Sequence, residues 1–152
     1  MWESIPDDAD LVVTHTPPRG HCDATLDQRP GGCEALRRAL WRVRPLLSVC
    51  GHIHDGRGAE RVQWKEEADS MHDLQPQRFA EKSVFVWDDP GAGNNRMSLL
   101  DLTGRKGAAK LQPKETCIVN CAIMKSKYPH PGGKTFNKPV VVDIDLPIWP
   151  ID

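Results

Sequence analysis

Two short apolar runs that each lead into histidine constrain this chain more than any other feature. Leu11-Val12-Val13 continues into Thr14-His15, and Leu46-Leu47-Ser48-Val49-Cys50 continues into Gly51-His52-Ile53-His54. Runs this short, bounded by turn-forming residues, have the pattern of buried strands. Between them the period changes. Cys33, Leu36, Leu40 and Val43 recur at spacings of three, four and three, while Glu34, Arg37, Arg38, Arg42 and Arg44 fill the other face. That spacing predicts an amphipathic helix. Pro45 ends it, because a residue before proline is pushed out of the helical region. Thr16-Pro17-Pro18-Arg19-Gly20 likewise stops regular structure. Strand, loop, helix, strand makes a βαβ unit, with parallel strands and a right-handed crossover. Both strands then end on one edge of the sheet, where ligands usually bind. His15, His52 and His54 are therefore expected to converge, far apart as they are in sequence.

At 152 residues the chain has room for one domain with one real core. Hydrophobic residues at 39% and charged residues at 27% exclude a disordered or fibrous chain. With 12 Gly and 13 Pro, long loops between few regular elements are expected. No run reaches the roughly 18 apolar residues of a membrane span. The acidic start, Met1 to Asp10, lacks the apolar core of a secretion signal, so a cytoplasmic location is expected. Five Cys without paired spacing read as free thiols in a reducing compartment.

A net charge of −1 removes the global argument for a nucleic-acid binder. The charge is uneven: residues 57–90 carry five Lys/Arg against eight Asp/Glu, and residues 105–138 carry eight against one. The basic stretch reads as a phosphate-attracting patch or as a lysine-dotted surface loop. The lack of regular aromatic interleaving favours the loop.

Further along, Arg61 to Lys65 alternates as a strand does. Glu66 to Gln77 reads as loop, and Ser83 to Trp87 as a strand or a buried hairpin arm. Asp89 to Asn95 is turn and loop, and Leu99 to Leu102 a short strand. Thr116 to Ala122 and Pro139 to Leu146 are β-rich. In the latter, Val140, Val142, Ile144 and Leu146 share one face, with Val141, Asp143 and Asp145 on the other. Tyr128 to Lys134 connects the two as a loop.

Histidine at the strand ends carries the chemistry. Neutral imidazole is a common ligand of divalent transition metals. The two rings of His-x-His reach one ion or two adjacent ions, because an extended segment alternates its side chains. The plain alternative is three hydrogen-bonded histidines at a sheet edge. A structural zinc site drawing Cys50, His52 and His54 together with His21, Cys22 and Cys33 is a further alternative, although its spacing is no standard finger.

The motif Val12-Val13-Thr14-His15-Thr16-Pro17-Pro18 with Gly51-His52-Ile53-His54 resembles the C-terminal half of calcineurin-like metallophosphoesterases. The closer similarity is to a fungal branch. It extends to Gly32-Cys33-Glu34-Ala35-Leu36, Arg44-Pro45, Cys117-Ile118-Val119-Asn120 and Lys138 to Pro147, spanning about Asp10 to Trp149. The resemblance implies an α/β fold, the C-terminal portion of a four-layer αββα sandwich, with residues 1–152 as a single partial domain. It implies a dinuclear centre of Mn, Fe or Zn, and hydrolysis of a phosphoester by metal-activated water. His15 and His52 resemble ligands of the second metal, and His54 a ligand of the first.

The family's Asp-x-His, Gly-Asp and Gly-Asn-His motifs are missing from this sequence. Without a bridging carboxylate, at most one divalent ion and little turnover are expected of the isolated chain. A complementing N-terminal half, self-association, or a non-catalytic remnant or interaction module are the partner readings. His21 and Asp23 are candidates to contact substrate or to orient a ligand, or else to be a solvated ring and a turn cap. Arg57 meets a phosphate or lies on the surface. His72 has no assigned role, and His130 belongs to a rigid connector. Asp143 and Asp145 read as a solvated strand face, and the five Trp as packing residues.

Overall fold

The computed structural model describes residues 2–64 and 81–148. The loop expected over Glu66 to Gln77, His72 and Trp149 lie outside the described residues. The chain is α/β. Strands β1 (Leu11–Val13) and β2 (Leu47–Cys50) flank helix α1 (Glu34–Val43) in sequence and pair in parallel, Leu11 opposite Leu47 and Val13 opposite Val49. The βαβ unit therefore forms as its periodicity dictates.

Helix α1 begins one residue later than the apolar spacing suggests. Cys33 is extended at the N-cap, and its side chain packs beside the core from there. Arg44 closes the helix in the left-handed region at φ 53°, its N–H bonded to the Leu40 carbonyl. That conformation turns the chain sharply into Pro45, which cannot extend a helix.

The other strands are β3 (Gly58–Trp64), β4 (Glu81–Val86), β5 (Ser98–Asp101), β6 (Glu115–Asn120) and β7 (Val140–Asp143). Among the described residues, five of the seven strands form a mixed sheet in the order β1-β2-β6-β3-β4. β6 runs parallel to β2 and antiparallel to β3, and all six of its residues are buried. β4 pairs antiparallel with β3 and is mostly exposed, so the stretch Ser83 to Trp87 holds a strand, as one of its two readings had it, and not a buried arm; Trp87 lies just past the strand end. β5 and β7 form a separate parallel pair.

Alternation along β6 divides the core between two faces. Ile118 joins Val12, Leu36, Leu40, Val62 and Trp64 under the helix, with Trp2 and Trp41 packed alongside. Cys117 and Val119 join Leu47, Ala59, Leu100 and Leu102 beneath the β5–β7 pair, with Trp87, Val140, Val142 and Ile144. The described residues thus stack as helix, wide sheet, narrow sheet. β7 is shorter than its alternating pattern, and Leu146 leaves the packed face, 45% exposed. Asp143 and Asp145 lie on the exposed side, with Asp145 paired to Arg105.

The narrow sheet covers β2, β6 and β3 but leaves β1 open. Val12 is buried, whereas its neighbours Leu11 and Val13 are 47% and 77% exposed on a border strand. Across the molecule, the Lys138 ammonium donates to the carbonyls of Gly91 and Arg96 at 2.9 and 2.8 Å and to that of Asn94. It gathers the Asp89–Asn95 turn onto the start of β7.

Candidate metal centre

Parallel register carries the histidines together. The Thr14 N–H donates to the Val49 carbonyl at 2.9 Å, and the Gly51 N–H to the His15 carbonyl at 3.0 Å, so the pairing of β1 and β2 continues past both strand ends. His15 and His52 emerge side by side at that rim. Their ring centroids are 4.7 Å apart, with planes tilted by 52°. Both are exposed, as is His54 two residues on.

The turn that carries His52 and His54 is tightly braced. The Ile53 N–H donates to the Gly51 carbonyl at 2.7 Å and the Arg57 N–H to the His54 carbonyl at 3.3 Å. His52 has φ +65°, in the left-handed region that costs most residues about 1–2 kcal/mol. Gly56 lets this turn approach the loop after β1, since a Cβ there would sit 2.3 Å from the Cys22 carbonyl oxygen. Lys127 pairs with Asp55 at 2.6 Å and brings the basic 123–137 excursion against the same turn.

Whether a divalent ion suits these residues depends on the donors present. Two exposed imidazoles at 4.7 Å fit as neighbouring members of one shell, with their rings free of protein ion pairs among the described residues. Among the described residues, no group of three or more His, Cys, Asp or Glu side chains is placed to hold one ion.

Of the donors weighed for a structural zinc site, Cys22 and Cys50 are engaged elsewhere. The Cys22 and Cys50 thiols donate to the carbonyls of Ile118 and Val119. Burial pushes both thiols up, Cys50 to about 12, which keeps them protonated and poor as ligands.

His21 is 5% exposed, and no sequence pattern announced its surroundings. Its Nδ1 meets Glu60 at 3.0 Å and its Nε2 meets Glu81 at 3.2 Å. Arg37 of α1 pairs with Glu81, and the Ser83 hydroxyl donates to Glu60 at 3.0 Å. Burial lowers the affinity of this ring for a proton. The two carboxylates more than reverse that and raise its pKa from 6.5 to about 9. His21 is therefore a buried ring held between two carboxylates, not the solvated ring that its loop suggested.

Asp23 acts as the turn cap. Its buried Oδ2 accepts the N–H groups of Gly20 at 2.9 Å and Gly32 at 2.8 Å, closing the loop between β1 and α1. Asp23→Ala orphans both donors. The expected loss is about 2–3 kcal/mol of stability in urea denaturation, at roughly 1 kcal/mol or more per bond to a charged acceptor. Arg57 is also occupied: it pairs with Asp89 at 3.2 Å and donates to the Lys138 carbonyl at 3.1 Å. It braces the His52–His54 turn against the second sheet. His130 Nδ1 meets the Ser126 hydroxyl at 2.9 Å within its own loop, as a connector residue does.

Similarity in sequence is partial: the chain has partial homologues among proteins named for a metallophosphoesterase domain. Metallophosphoesterase domain-containing protein 1 of Homo sapiens is 44% identical over 59 residues, 38% of this chain and 18% of the human protein. A UPF0046 protein of Caenorhabditis elegans is 48% identical over 58 residues, 38% of this chain and 15% of its own length. A probable rhamnogalacturonate lyase C of Emericella nidulans is 55% identical over 65 residues, 41% of this chain but 6% of that protein. The chain therefore spans less than a fifth of the length of these relatives. No family profile and no solved structure matches it. Among the described residues no helix is long and apolar enough to cross a membrane.

Proposed function

We propose that this chain is part of a metal-dependent phosphoester hydrolase and contributes His15, His52 and His54 to a dinuclear site. The observation that carries this reading is the His15–His52 ring pair, 4.7 Å apart at the rim of two parallel strands. The metallophosphoesterase relatives support it, and the order helix, sheet, sheet is compatible with part of an αββα sandwich.

His15 and His52 would hold one ion and His54 the other. Such an ion, when bound, polarises a phosphoryl oxygen and lowers the pKa of a coordinated water. The chain's own part is to present imidazoles in a fixed spacing and to brace the turn that carries two of them. The remaining donors, carboxylates above all, come in this reading from a complementing segment seated on the open border of β1. The exposed Leu11 and Val13 favour that seat, or a role as an interaction module alone. The five free thiols support a reducing, cytoplasmic setting.

Calorimetric titration with Mn tests the reading. The wild-type chain is expected to take up at most one ion, and His52→Ala to bind it at least about tenfold more weakly, as loss of a ligand exceeds the loss of a supporting contact. Turnover of a chromogenic phosphodiester is expected to need an added chain carrying Asp-x-His, Gly-Asp and Gly-Asn-His. Equal Mn affinity in wild type and His52→Ala would end the proposal. Strong turnover by the chain alone would overturn the claim that its site is partial.

A further inference from the structure

Asn120 ends β6 between the two loops that bear the histidines, and its side chain is fully buried. Its Nδ2 donates to the Ile53 carbonyl at 2.8 Å and to the Cys22 carbonyl at 2.9 Å. Its Oδ1 accepts the Ala122 N–H at 3.0 Å. One amide therefore ties three segments together: the His52–His54 turn, the loop that follows His15, and the exit of β6.

Ile53 is the residue between the two turn histidines, and His52 before it stands at φ +65°. A non-glycine residue persists there only when its surroundings over-determine it. The N–H groups of Gly51, Ile53 and Arg57 brace this turn backbone to backbone, and the Asp55 and Arg57 side chains, on Lys127, Asp89 and the Lys138 carbonyl, brace its far end. Asn120 is a side chain reaching in from a different strand, and it grips the carbonyl one residue past the left-handed position.

We propose that Asn120 is a positioning residue: by holding the Ile53 and Cys22 carbonyls, it maintains the left-handed turn at His52 and so sets the spacing of the His15 and His52 rings. The consequence for metal uptake rests on the function proposed above, whereas the spacing is a property of the metal-free chain. The chemistry requires an amide at this position. Aspartate of the same shape keeps the acceptor for Ala122 but has no N–H, and it sets an anion against two carbonyl oxygens. Leucine of similar size leaves both carbonyls unbonded in the interior.

The test is nuclear Overhauser contact between the ring protons of His15 and His52 in the full chain without metal, for wild type, N120D and N120L, followed by Mn titration of each. We expect the wild type to show the contact. Both variants are expected to keep their far-ultraviolet circular dichroism, lose the contact and bind Mn at least tenfold more weakly. A contact that persists in both variants overturns the proposal. Should the variants fail to fold, the wild type still decides. The Asn120 side-chain NH2 must exchange with water as slowly as the β6 backbone amides, and rapid exchange overturns the assignment. A wild type that shows the ring contact but takes up no Mn counts against the hydrolase reading alone.

Discussion

Raising the pH from 6.5 to above 9 is expected to remove about 3 kcal/mol of folding stability, and His21→Leu to abolish that dependence. Unfolded, the imidazole has a pKa of 6.5, and in the folded chain it is held at about 9 by Glu60 and Glu81 against the opposing effect of burial. A raised pKa in the folded state means that folding takes up a proton. The stabilisation is complete below pH 6.5, falls as the pH rises through 9, and is gone above it. A shift from 6.5 to about 9, at about 1.4 kcal/mol per unit, gives the magnitude. The leucine variant is also expected to lose about 3–5 kcal/mol near neutral pH, because it strands two largely buried carboxylates that Arg37 and Ser83 only partly satisfy. Urea midpoints at pH 6, 7.5 and 9.5 for both proteins decide the matter. A wild-type midpoint that stays level across this window would show that His21 is not a buried cation.

Trp64→Ala is expected to cost about 3–5 kcal/mol, the range for removing a large aromatic side chain from a close-packed core. Trp64 closes β3 at 2% exposure and packs with Leu36, Leu40 and Ile118 beneath α1. Its Nε1 donates to the buried Thr116 hydroxyl at 2.7 Å, and its ring meets His21 edge-on at 6.2 Å. Trp64→Phe separates these contributions. It keeps most of the apolar contact but leaves the Thr116 hydroxyl without its donor, for an expected loss of about 1–3 kcal/mol. Denaturation of the two variants side by side measures both terms. A loss below about 1 kcal/mol in the alanine variant would mean that the cluster under the helix is not the main core.

The βαβ unit was legible because each of its signals is local. Three branched residues mark β1, a run of apolar residues at helical spacing marks α1, and Pro45 marks the stop. Convergence of His15 and His52 then follows from parallel pairing, since the two strands end on one edge. What the residues alone did not disclose depends on contacts between distant segments. His21 sits in a loop rich in Pro and Gly that reads as solvated. Its carboxylates come from β3 and β4, whose alternation says nothing of a buried cation on the loop facing them. Asn120 closes a continuous β run, so its part in gripping two loops is visible only once the strands are in place. Arg57 follows the histidine turn and looks available to an anion, yet Asp89 and the Lys138 carbonyl already hold it. Leu146 keeps the alternation of β7 after the strand itself has ended.

The mismatch in breadth between the stacked sheets has a mechanical outcome. Val13, laid bare because the upper sheet stops short, stands two residues before His15. In the reading proposed above, a complementing segment that sealed this apolar ledge would lie within two residues of His15, so shielding of grease from solvent and admission to the ring would be one event.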